Sequence, residues 1–232
     1  MISKFALSTV LLASAVALAG CNSSNKGGGG AAGGGANSSN AAHNAAFNAV
    51  SAQGATTTMP ATFTGAFTGS VQAQLGSMNG ANTPLGHATG DLALTANWTD
   101  GQAGPAFTGT ATNFAGEVQG AATTWNGTLN ASSSGALNRI QRFDGAAICA
   151  AAPAGVPCPV DPNAQTSSVT IAMTGALTAD GGTAGNDSNL VLNGFVTNDN
   201  QSITGATAGT FILPDGSTAT VAGTESTFHA TK

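Results

Sequence analysis

Long stretches of strict two-residue alternation constrain this chain more than any other feature. Leu92, Leu94, Ala96 and Trp98 share one parity, with Ala93, Thr95 and Asn97 between them. Val169, Ile171, Met173 and Leu177 share another, with small or polar residues between. Leu190 with Leu192, and Trp125 with Leu129, continue the pattern. Successive side chains of an extended strand point to opposite faces, so a single apolar parity marks a sheet packed on one side and wet on the other. Turn-forming clusters separate the runs: Asp100-Gly101, Asp180-Gly181-Gly182, Asn198-Asp199-Asn200 and Pro214-Asp215-Gly216. Eight strands are expected, centred on 61–74, 87–98, 105–114, 117–131, 168–179, 188–197, 203–213 and 217–228. Short turns between successive runs imply an antiparallel meander. Eight strands are enough to close an up-and-down β-barrel and remove exposed edges. The expected fold class is therefore all-β, with a sandwich of the same strands as the competing architecture.

Composition narrows the functional classes. Only 6% of the 232 residues are charged and the net charge is −5, so no basic surface exists to neutralise phosphates, and a nucleic-acid partner is not expected. A coiled coil would need dense Glu, Lys and Leu. Glycine supplies 33 residues, and tyrosine is absent. Ala and Gly must fill much of the interior, and glycines inside strands permit bulges and close backbone approach. A transmembrane barrel would carry aromatic girdles; two tryptophans and no tyrosine argue against one.

The N-terminus reads as a targeting signal. A short basic start, Met1 to Lys4, precedes an apolar run from Phe5 to Leu18 and then Leu18-Ala19-Gly20-Cys21. The run is short for a membrane-spanning helix and fits the apolar core of a secretory signal peptide. Its last four residues resemble the bacterial lipobox, in which the cysteine is lipidated and becomes the first residue after cleavage. Several acyl chains on Cys21 would anchor the chain stably. Asn22 follows the cysteine where an inner-membrane retention signal often carries aspartate, so the outer membrane is the expected location.

Three segments are expected. Residues 1–20 form the lipoprotein signal peptide. Residues 21–60, almost entirely Gly, Ala, Ser and Asn, form a disordered tether, with alanine-rich Asn40 to Val50 as its one helix candidate. Residues 61–232 form the β-barrel domain, interrupted by an insertion near 132–167.

That insertion holds Cys149 and Cys158, for which export to an oxidising compartment implies a structural disulfide. Neither a metal-ligand spacing nor a redox Cys-x-x-Cys is present. Arg139 and Arg142, the only arginines, precede the loop with Asp144 and are candidates for a recognition loop, against the plainer reading of solubilising charges on a hairpin. His43, His87 and His229 are far apart in sequence and are expected to be solvated, although a fold could gather His87 with His229. Glu117 and Glu225 are paired acids in type only. No nucleophile elbow, phosphate loop or zinc-protease motif occurs, so no catalytic residue, cofactor or metal is assigned.

The strand texture resembles that of the transferrin-binding protein B-like lipoproteins, a group related to Slam-dependent surface lipoproteins. The matching stretches are Gly90-Asp-Leu-Ala-Leu-Thr-Ala-Asn-Trp98, Phe107-Thr-Gly-Thr-Ala-Thr-Asn-Phe114, Trp125-Asn-Gly-Thr-Leu-Asn130, Gly205-Ala-Thr-Ala-Gly-Thr-Phe211 and Val221-Ala-Gly-Thr224. The resemblance implies an eight-stranded barrel behind a lipidated tether. It also implies a surface role in binding host iron carriers, haem proteins or complement regulators.

The leading expectation is thus a non-catalytic binding or adhesion module on an outer-membrane or surface lipoprotein. It would hold the membrane through its N-terminal lipid and a protein or small molecule through loops at one barrel end. The alternative is a passive structural envelope lipoprotein, and a third reading is a hydrolase with scattered active residues.

Overall fold

A computed structural model describes residues 40–77, 84–153, 156–158, 160–182 and 187–232. The chain opens with α1 (Ala41–Ser51) and continues into β1 (Thr62–Gly76), β2 (Pro84–Thr99), β3 (Phe107–Val118), β4 (Ala121–Gly127), β5 (Leu129–Ala131) and β6 (Asn138–Asp144). The short helix α2 (Gly145–Ala150) follows. Then come β7 (Gln165–Ala179), β8 (Asp187–Val196), β9 (Ser202–Ile212), β10 (Thr218–Val221) and β11 (Thr227–Thr231).

All eleven strands of the described residues belong to one antiparallel sheet: nine follow the order β10-β1-β11-β9-β8-β7-β4-β3-β2, β5 pairs with β3 and β7, and β6 pairs with β7. β1 pairs with β2 from Thr62↔Thr99 to Gly76↔Pro84, and its other side pairs with β11 and β10. The expected eight-stranded up-and-down barrel is corrected to this irregular eleven-stranded sheet. The causes are local. β4, β5 and β6 are separate strands that each pair with β7, and the 222–226 turn divides β10 from β11. The β3–β4 turn falls at Gln119-Gly120, both with positive φ (51° and 85°), rather than near residue 115. A two-residue hairpin with both central residues left-handed favours Asn-Gly, so Gln-Gly gave no clear turn signal.

The insertion is also corrected. Residues 132–167 are not a plain interruption, because they contain β6, α2 and the start of β7. β6 runs alongside β7 from Asn138↔Ile171 to Asp144↔Gln165. The tether boundary shifts as well. Residues 40–60 are not free chain: α1 is a helix, Ala55 bridges to Thr197, Thr58 bridges to Gln165, and Met59 is buried in the core. Residues 1–39, including the expected signal segment and Cys21, lie outside the described residues.

The apolar parity fills one face. Phe63, Phe67, Val71, Ala73 and Leu75 of β1 meet Leu92, Leu94, Ala96 and Trp98 of β2 in one core with Val169, Ile171, Met173 and Leu177 of β7. Phe211 receives Phe114 and Trp125 edge-on, with centroids 5.2 and 5.3 Å away. The buried Trp125 indole N–H donates to the Ile212 carbonyl at 2.9 Å, as a buried polar handle must find a partner. Gly90 makes room for this cluster, since a Cβ there would sit 2.6 Å from the Phe114 ring.

Candidate functional site

On β1 the odd-numbered residues enter the core, so Ser70 and Gln72 face the opposite side of the sheet. On β11, Phe228 and Ala230 take the core, leaving Thr227 and His229 on the same outer side as Ser70. Ser70 and His229 are direct cross-strand partners. α1 packs over this polar patch, touching β1, β9 and β11. Alanines favour the helix, and Asn40 caps it by accepting the Ala42 and His43 N–H groups.

Side-chain hydrogen bonds fasten the helix to the sheet. His43 is buried, with Nδ1 2.7 Å from Ser70 Oγ and Nε2 2.9 Å from Thr227 Oγ1. Ser70 Oγ is also 2.9 Å from His229 Nε2, so one hydroxyl joins two imidazoles. A neutral imidazole has one donor and one acceptor, and a hydroxyl can donate and accept, so all three contacts of the row Thr227–His43–Ser70–His229 can be made with both rings neutral.

Gln72 forms a second fastening point. Its fully buried amide oxygen accepts from the Asn40 N–H and the Thr89 hydroxyl. Its nitrogen donates to Asn44 Oδ1 and the Glu225 carbonyl. Asn44 Nδ2 in turn donates to the Glu225 carboxylate at 3.1 Å. At the far end of the helix, the Ser51 and Thr204 hydroxyls lie 2.9 Å apart.

Electrostatics follow from this placement. Burial, and then the nearby His229, lower the His43 pKa from 6.5 to about 4. Burial likewise lowers that of His229. His43 also sits in the first turn of α1, where the helix dipole disfavours a cation. The rings lie 5.3 Å apart between centroids, and Phe47 stacks on His43 at an interplanar angle of 8°. Phe47, Asn44, Asn48, Thr224, Glu225 and Thr227 line a cleft of about 160 Å³ beside the helix.

The histidines depart from expectation. His43 and His229 are buried rather than solvated, and the fold pairs His229 with His43 rather than with His87. His87 is buried on β2, opposite Gln74 on one side and Glu117 on the other. Glu117 stays on β3, while Glu225 lies in the turn before β11 and accepts from Asn44. The two rings of the cluster bond hydroxyls rather than carboxylates. Among the described residues, no group of three or more His, Cys, Asp or Glu could hold a metal ion. No local motif announced the cluster, because its two histidines come from opposite ends of the domain. The one available signal was the asparagine cap ahead of an alanine-rich run.

The other candidate residues lie away from this cluster. Cys149 and Cys158 form a disulfide with a Cα–Cα distance of 5.0 Å. Arg139 is exposed on β6 opposite Thr170. Arg142 pairs with Asp100 at 3.0 Å, and its Nε donates to the Met59 carbonyl at 3.0 Å. Asp144 caps α2 by accepting the Ala146 N–H. These three residues thus belong to a paired strand and its cap.

No protein-family model, curated protein or solved structure matches this chain. The class in hand is a β-rich domain of one irregular antiparallel sheet carrying an N-terminal helix on its polar face. The resemblance to transferrin-binding protein B-like lipoproteins is corrected: no relative supports it, and the sheet is not the eight-stranded barrel it implied. The host-receptor reading, with recognition by barrel-end loops, falls with it.

Proposed function

We propose that the chain is an exported envelope protein, anchored in the outer membrane through lipid on Cys21, with a non-catalytic structural role. The observation that carries this reading is the Leu18-Ala19-Gly20-Cys21 motif after an apolar run, 19 positions ahead of the first described residue, Asn40. The backbone N–H of Asn40 and the side chains of His43 and Asn44 fasten α1 to β1 and its neighbours, so a pull on Asn40 would pass into the sheet. The 6% charged composition leaves few ionised groups for acid–base chemistry or a charged ligand, which supports a passive role.

Intact-mass analysis of the membrane-extracted protein, with fractionation of Cys21→Ser, tests it. A mature chain beginning at an acylated Cys21, and release of the variant from the membrane fraction, are expected. An unmodified N-terminus elsewhere, or a variant that stays membrane-bound, would overturn the proposal.

A further inference from the structure

We infer that α1 is an acid-releasable strap: it is held over the polar face of the sheet while His43 and His229 are neutral, and it leaves that face when they gain protons. The geometry carries this. The helix buries only His43 and Val50 of its own residues, so most of its hold comes from hydrogen bonds rather than apolar contact. The histidine part of that hold runs through Ser70, which joins the two rings, while Gln72, Glu225 and Thr204 hold the helix by bonds that do not titrate with the imidazoles. With both rings protonated, two cations would face one another around a single hydroxyl in a buried site. Like charges held close at low dielectric repel strongly.

One carboxylate lies on this face beside the cluster: Asp91 of β2 is the cross-strand partner of Ser70, and it accepts from Asn113 rather than from either imidazole. β1 and β9 carry no ionisable side chain, and β11 contributes only His229. Among the residues of α1, His43 alone is ionisable. The turn before β11 supplies Glu225, whose carboxylate is bonded to Asn44 rather than to either imidazole.

The lowered His43 pKa sets the direction. The docked helix resists a proton that the free helix accepts near 6.5, so docking is strongest above that value and weakens as pH falls towards 4. His43 alone makes docking about 30-fold weaker at pH 5 than at pH 8. Release exposes Ser70, Gln72, Thr227 and His229 and moves the first attachment to the sheet among the described residues from Asn40 to Ala55. If Cys21 is anchored, roughly 50 Å of extended chain is added. That consequence rests on the proposed anchoring, whereas the strap itself does not.

Hydrogen exchange of the full-length chain in detergent, expressed as protection factors at pH 8 and pH 5, tests the strap. Residues 41–52 should lose protection by at least tenfold at pH 5 while β7 and β8 keep theirs. The H43Q/H229Q double variant should show no such acid effect. Equal protection of α1 at both pH values, or an undiminished acid effect in the double variant, would overturn the inference. If that variant is already undocked at pH 8, H229Q alone decides, because it keeps His43 and its Thr227 bond. A smaller acid effect supports the paired strap, and an unchanged one overturns it.

Discussion

His43 and His229 lie with ring centroids 5.3 Å apart, and the Ser70 hydroxyl bonds a nitrogen of each. One residue comes from the first described helix and the other from the last strand, so this contact ties the two ends of the domain together. Removing the bridge leaves a nitrogen on each ring without its partner. Ser70→Ala should therefore weaken α1 docking by about 1–3 kcal/mol, the usual cost of orphaning a buried polar group. Hydrogen exchange should show the loss in residues 41–52, with little change in β7.

The disulfide closes a short loop outside the main ladder, with nine residues of sequence separation. Cross-linking a loop of that size restrains the unfolded chain by about 3 kcal/mol at most. The paired substitution Cys149→Ser/Cys158→Ser should lower the thermal midpoint yet leave the far-ultraviolet circular dichroism of the sheet unchanged. A denaturation series with and without reductant on the parent chain gives the same comparison.

Arg139 and Arg142 should separate sharply. Arg142→Ala loses a partly exposed ion pair with Asp100, worth about 0.2–1 kcal/mol, together with a bond to the Met59 carbonyl. Arg139→Ala removes an exposed side chain and should stay within about 0.5 kcal/mol of the parent. Urea titrations of the two variants measure the difference.

Two glycines that look alike in the sequence should respond differently. Gly194 faces Gly205 across β8 and β9, and a Cβ on Gly194 would meet the Thr204 carbonyl oxygen at 1.9 Å. Gly194→Ala forces the two strands apart and should destabilise by at least about 1–3 kcal/mol. Gly101 stands in open space in a turn with φ of +79°, so alanine there meets only backbone strain of about 1 kcal/mol. Thermal midpoints of the two variants should rank accordingly.

Much of the sheet was legible because alternation reports facing directly: Leu92 to Trp98 and Val169 to Leu177 take the core face their parity assigned. Strand division was not legible. The breaks after β4 and β10 depend on how long each ladder stays in register, which local composition does not reveal. β6 was hidden because Asn138, Arg139, Gln141 and Arg142 read as polar loop, yet pairing with β7 and the buried Ile140 hold it. The helix at α1 was legible from its alanines, but its docking on the sheet was not, because its residues are mostly small. Its hold comes from specific hydrogen bonds to Ser70, Gln72, Thr204 and Thr227, a pattern that exists only once β1, β9 and β11 are adjacent. Nothing in the sequence spacing of His43 and His229 could foretell their meeting.

The histidine pair is tested most directly by an imidazole titration of His43 and His229 by NMR in the full-length chain, with His43→Gln and His229→Gln assigning the signals. His43 should stay neutral down to about pH 4, because it is buried and faces His229, and burial should hold the titration of His229 below 6.5 as well. Titration of both rings near 6.5, with no change in either signal on Ser70→Ala, would contradict it.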